Sequence, residues 1–160
     1  MSTRNANCTS NNSATLVWWR TLPADELELR DVTQLRRCMQ GLQILGEPGW
    51  SDAVRGDAAG AIGIAVRVAV KQPCIEPVID LVMSAVLGAA VEGNGAARHF
   101  LTYMVRRRVA ADPLAESIAL SWIAASRAAA QARRVSKPHV RMRPPRRHRI
   151  ASCGGSARRR

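Results

Sequence analysis

Apolar positions recur at three- and four-residue intervals through most of this chain, the spacing that puts side chains on one face of a helix. The first such stripe runs through Val32, Leu35, Met39 and Leu42, joined by Cys38 and Leu45. Leu16, Val17, Trp18 and Trp19 form an apolar clamp ahead of it. Pro23 suits a first helical turn, where its missing N–H would have no partner in any case. Asp25, Glu26 and Glu28 crowd the start while Arg36 and Arg37 lie near the end, the polarity that the helix dipole favours. Gly46 and Pro48 stop the pattern, so the spacing predicts a helix over 23–45.

The segment 51–71 carries two conflicting signals. Ser51 and Asp52 read as a helix start and Pro73 as a stop. Yet Ile62, Ile64, Val66, Val68 and Val70 alternate with small or polar residues, the period of a strand. A lone strand has nothing to pair with elsewhere in the chain, and Gly56, Gly60 and Gly63 would let a helix pack closely. Helix is the expectation, with strand kept as the alternative.

Pro77 opens a third helical pattern through Ile79, Val82, Met83, Val86, Leu87 and Val91. It is apolar around most of its circumference, which predicts the central buried element. Glu92, Gly93, Asn94 and Gly95 end it. A fourth stripe carries Ala97, Phe100, Leu101, Met104, Val105 and Val109. Asp112 followed by Pro113 is a cap and a first-turn proline for a fifth helix, with Leu114, Ile118, Trp122 and Ala125 in register and 128–132 able to extend it. Pro138, Pro144, Pro145, Gly154 and Gly155 exclude regular helix beyond about residue 135. Short connections imply antiparallel neighbours. The expected fold is all-α: a compact bundle of about five helices over 16–132, a disordered N-terminal segment 1–15 and a basic disordered tail 133–160.

Composition changes this picture at one point. Hydrophobic residues make up 47% of the 160 residues but aromatics only 4%, so the core must be built from Ala, Val, Leu and Ile. The formal charge is +12, yet residues 133–160 hold eleven Arg or Lys and no carboxylate, leaving thirteen basic and twelve acidic side chains in the rest. A near-neutral body with a cationic tail points to a polyanion partner. Arg outnumbers Lys by 22 to 2, a skew that base composition alone can produce, so the asymmetry carries more weight than the residue type.

Candidate chemistry is sparse. Gly93, Asn94 and Gly95 resemble a piece of a dinucleotide fingerprint, but Arg98 stands where the third glycine would be and no βαβ unit surrounds them; helix capping explains them better. His99 has no Asp, Cys or Ser near it in sequence to suggest a dyad. His139, His148 and Cys153 match no zinc spacing and sit in dense positive charge. Glu76 and Asp80 share a helix face as a like-charged pair, a pattern that can raise a carboxylate pKa but is more often a solvated, neutralised edge. The run Arg106, Arg107 and Arg108 fans over about 200° of helix surface, so one side chain must pack its stem near the core. It also suits a helix C-terminus, or could join the tail as one basic patch. Cys8, Cys38, Cys74 and Cys153 form no pair; Cys38 and Cys74 read as reduced core residues.

These observations give a non-enzymatic helical module with no cofactor and no metal. Its tail is expected to bind nucleic acid or another polyanion non-specifically through Arg133, Arg134, Lys137, Arg141, Arg143, Arg146, Arg147, Arg149, Arg158, Arg159 and Arg160. The tail has no aromatic residue for base stacking, so no single-strand code is expected from it. The alternative is a protein-interaction or regulatory module, dimeric in one version, presenting the Trp18–Trp19 clamp or the Ala-rich fifth helix. An enzyme would need a pocket gathering His99, Arg98, Tyr103, Glu76 and Asp80. No apolar run reaches the roughly 20 residues of a membrane span, and the polar start of the chain lacks a secretory pattern; a cytoplasmic location is the expectation.

Overall fold

In a computed structural model, residues 13–71 and 77–135 are described. Among the described residues, after a helical stretch at 13–16, seven α-helices follow one another: α1 (Trp18–Thr21), α2 (Leu29–Met39), α3 (Trp50–Arg55), α4 (Ala58–Lys71), α5 (Pro77–Val91), α6 (Gly95–Arg106) and α7 (Leu114–Val135), with a 3₁₀ turn at Ala24–Glu26. Among the described residues there is no strand. The five longer helices, α2 and α4 to α7, form the expected all-α bundle.

Helix α5 is its axis. All residues from Val82 to Ala90 are buried, and α1, α2, α4 and α6 pack around them. A helix surrounded on nearly every side needs little polar face, which is what the mostly apolar composition of 77–91, broken only by Asp80 and Ser84, anticipates. Leu35 from α2, Ile64 from α4, Leu101 and Met104 from α6, and Trp122 from α7 close the core around Met83 and Leu87. Each such side chain contributes about 1.5–3 kcal/mol on leaving water.

The helix predicted over 23–45 is shorter at both ends. Leu27 turns into the core in an extended conformation, and Glu28 follows with φ −120° and ψ 167°. The chain therefore restarts its helix at Leu29, where the Glu28 N–H donates to Asp31 Oδ2 at 2.7 Å. At the other end Gln40 is extended and Gly41 is left-handed. Leu42 and Leu45, placed on the apolar stripe by spacing, are exposed, Leu45 by 98%. Trp50 is buried instead and donates its indole N–H to the Leu42 carbonyl at 2.9 Å. Enclosing that large ring while satisfying its N–H is what draws the 40–49 segment out of helix.

Segment 51–71 is helical, and the strand alternative is excluded. It is two helices rather than one, broken at Gly56, whose φ of +117° an L side chain resists. Asp57 then caps α4, its Oδ1 accepting from the Ala59 N–H at 3.1 Å. The buried positions of α4 are Ala61, Ile64, Ala65 and Val68, a helical face made half of alanine, while Val66 and Val70 face outward. Alanines hid this face beneath the alternating branched residues.

Helix α6 ends at Arg106, so Val109 leaves the expected stripe and is partly exposed. Asp112 Oδ1 accepts from the Leu114 N–H at 3.0 Å and fixes the start of α7. That register turns Leu114 outward and buries Ala115, Ile118, Ala119 and Trp122. Helix α7 runs on to Val135, three residues into the stretch read as tail. No helix among the described residues is long and apolar enough to cross a membrane.

Candidate nucleic-acid interface

Arg133 and Arg134, the first of the eleven residues assigned to polyanion binding, lie on the last turn of α7. Lys137, Arg141, Arg143, Arg146, Arg147, Arg149, Arg158, Arg159 and Arg160 lie outside the described residues. Arg133 Nη2 donates to the Gly93 carbonyl at 3.3 Å, at the turn joining α5 to α6. Beside it Arg98 donates from Nε to the Ala90 carbonyl at 2.9 Å and from Nη1 to the Ala125 carbonyl at 3.4 Å. Both guanidinium groups thus meet backbone oxygens, those of Ala90 and Gly93 at the C-terminal end of α5, where cations are favoured. Neither has a carboxylate partner among the described residues. Arg98, Arg133, His99 and Ser126 line a pocket of about 290 Å³ there. Its basic lining, open to solvent at the root of the tail, suits an anionic group.

Arg106, Arg107 and Arg108 occupy the opposite end of the antiparallel α6–α7 pair. Helix α6 is twelve residues long, about 18 Å, so this cluster does not merge with Arg133 and Arg134. The three side chains divide, although α6 ends at Arg106 and Arg108 lies in the turn beyond it. Arg106 and Arg107 are exposed, while Arg108 folds inward over the Trp19 ring, 5.5 Å from its centroid. There its Nε is buried without a hydrogen-bond partner, and the cation–π contact and stem packing compensate in part. Arg107 lies over the Tyr103 ring at 5.9 Å.

The other candidates resolve into structural roles or fall outside the described residues. Asp80 Oδ1 accepts from Trp19 Nε1 and Arg20 Nε, and Oδ2 from Arg20 Nη2, each at 2.9 Å. Glu76, Cys74, His139, His148 and Cys153 are not described. Asn94 caps α6, its Oδ1 accepting from the Ala97 N–H at 3.0 Å, and Gly93 is left-handed at φ +97°. The glycine-rich turn is therefore a helix junction. His99 and Tyr103 are exposed one turn apart on α6, and Asp80 is not with them. The Trp18–Trp19 clamp is not a surface either: Trp19 is fully buried and Trp18 half-buried. Cys38 is half-buried on α2. A second cavity, about 730 Å³, lies at the 40–49 loop among Leu42, Ile44, Trp50 and Val54; its charged lining residues are already paired, Glu47 with Arg67 and Arg55 with Asp52.

No family model, curated protein or solved structure matches this chain.

Sequence reading missed the pocket because Arg98 and Arg133 are 35 residues apart and meet only when α6 and α7 pack antiparallel. It also missed the outward face of α6. The signal was present as His99, Tyr103, Arg106 and Arg107 at helical spacing, with no carboxylate anywhere in 93–111.

Proposed function

We propose that this protein is a small non-enzymatic module that binds nucleic acid, or another polyanion, by charge. The observation that carries the reading is the segregation of eleven basic side chains into residues 133–160, against a body with a net charge of +1. The position of Arg133 beside Arg98 and His99 supports it, because a phosphate chain drawn to the tail would meet two guanidinium groups that hydrogen-bond backbone carbonyls and have no carboxylate partner among the described residues. Phosphate neutralisation releases counterions, so affinity should fall steeply with salt. The expected log–log slope is roughly −4 to −5 for about five engaged phosphates. Fluorescence anisotropy with labelled oligonucleotides at several salt concentrations tests this on the full chain and on a chain ending at Val135, which keeps α7 whole. Binding that ignores salt, or that is unchanged by the truncation, overturns the tail as the contact. The reduced thiols that sequence suggests fit a cytoplasmic setting for such a protein.

One observation favours a second reading, a homodimer. Leu120 is 58% exposed on α7, with the exposed Ala124 and Ala128 following it on the same face, a length of apolar helix surface open to solvent. Light scattering over a concentration series distinguishes the two, since a dimer through this face would dissociate when Leu120 is replaced by Glu.

A further inference from the structure

Of the six aromatic side chains in this protein, only Tyr103 is exposed. Trp19, Trp50 and Trp122 are buried, and Trp18 and Phe100 are half-buried against the core. Tyr103 is 56% exposed at the centre of the outward face of α6, with His99 one turn before it and Arg106 and Arg107 one turn after. A bulky ring left more than half in water by a fold that buries three of its four Trp side chains has gained little from burial there. Its position is nevertheless fixed: the Phe100 ring meets it at 6.5 Å and 36°, and the Arg107 guanidinium covers it at 5.9 Å.

The charge around the ring is one-sided. Residues 93–111 contain five basic or imidazole side chains and no Asp or Glu. The flanking carboxylates are committed elsewhere, Glu92 to Arg36 at 2.7 Å and Asp112 to the Leu114 backbone. Among the described residues Arg106 and Arg107 make no ion pair and no side-chain hydrogen bond, so their donors face solvent. A guanidinium stacked on a ring keeps its N–H edge free, and that edge matches a phosphate bidentately.

We infer that the outward face of α6 is a binding site for an unpaired nucleic-acid strand, with a base stacking on Tyr103 and the adjoining phosphates held by Arg106 and Arg107. The stacked surface exists only where bases are free of a duplex, since a paired base has both faces covered by its neighbours. This site supplies what the tail lacks. An aromatic platform flanked by cations is how proteins hold single strands with little sequence preference. The inference rests on the proposal that the protein binds nucleic acid, and it adds a preference for single strands that charge alone does not provide.

The test uses the full chain in anisotropy titrations with a labelled 12-nucleotide single strand, a duplex of the same length and, as competitor, inorganic polyphosphate. Deoxythymidine and uridine strands separate DNA from RNA. Loss of one stacked base costs roughly 1–3 kcal/mol, so Tyr103→Ala should weaken single-strand binding about 5- to 150-fold while leaving duplex affinity unchanged. Tyr103→Phe, which keeps the π-face, should bind as the unsubstituted protein does. Circular dichroism of each variant separates lost stacking from lost fold. Equal affinity for single strand and duplex, or a Tyr103→Ala variant that binds single strands normally, overturns the α6 site and leaves the charge-driven proposal standing. Polyphosphate competing as well as the single strand, base for phosphate, also overturns it. Absence of binding to every probe at low salt overturns both.

Discussion

The indole Nε1 of Trp19 donates to Asp80 Oδ1 at 2.9 Å across 61 residues of sequence. The same carboxylate holds Arg20 through both oxygens, and Ser84, one turn on in α5, hydrogen-bonds the Leu16 carbonyl at 2.9 Å. Together they fasten the segment before α2 onto the central helix. One carboxylate thereby satisfies a buried indole and neutralises a half-buried cation, which is why an acid is tolerated on a helix otherwise enclosed by apolar neighbours.

Replacing Asp80 with Ala should therefore destabilise the fold by about 2 kcal/mol, because Trp19 Nε1 and Arg20 are both left without their acceptor. Asp80→Asn keeps an acceptor for the indole and should lose less. Thermal unfolding followed by circular dichroism reads this as a drop of on the order of 5–10 °C for the alanine variant. An unchanged Tm would show that the contact contributes nothing.

Two leucines of the same sequence stripe should part company. Leu35 is fully buried and Leu45 is 98% exposed. Leu35→Ala is expected to cost about 2–5 kcal/mol, and Leu45→Ala to stay within about 0.5 kcal/mol. Urea titrations should show a shifted midpoint with an unchanged slope for the first and overlapping curves for the second.

Gly56 separates α3 from α4 with φ +117°, and a Cβ placed there would lie 2.6 Å from Arg36 Nη2. Arg36 in turn pairs with Glu92 and donates to the Val54 carbonyl. Gly56→Ala should cost at least about 1 kcal/mol from the backbone and more from the displaced guanidinium. Gly49→Ala, where φ is −80° and nothing lies within 4 Å, is the control expected to change stability little.

Arg106 and Arg107 should report on phosphate contact independently of the tail. Changing both to Gln in the full chain should weaken single-strand binding and make its log–log salt slope shallower by about 1.4, roughly 0.7 for each phosphate released. Changing Arg127, exposed on α7, to Gln should leave the slope as it was. A slope that responds to Arg127 as it does to Arg106 and Arg107 would mean that net charge, not position, governs binding.

Much of this architecture was legible in the order of residues. Helix α5 announced itself through apolarity around most of its circumference, bounded by Pro77 and Gly93, and α6 and α7 through Asn94 and Asp112, because caps and helical periodicity act within a few residues of one another. An inward turn of one of Arg106, Arg107 and Arg108 was expected from a helix through all three, but α6 ends at Arg106 and Arg108 reaches Trp19 from the turn beyond it. The ends of α2 were misread because the residues deciding them are distant: Trp50 competes for the space that Leu42 and Leu45 would have filled. The face of α4 was obscured because alanine carries little periodic signal until a neighbouring helix shows which side is enclosed.

By itself, then, the sequence determined an all-helical chain, its central element, most of its junctions and the concentration of positive charge in residues 133–160. Those properties depend on local propensity, capping and composition, which need no folded partner. The tertiary structure alone decided that Trp19 is sealed by Asp80, that Arg98 meets Arg133, and that Tyr103 is the aromatic left facing water. Each of these is a relation between helices, and burial and proximity acquire values only once α5, α6 and α7 have packed.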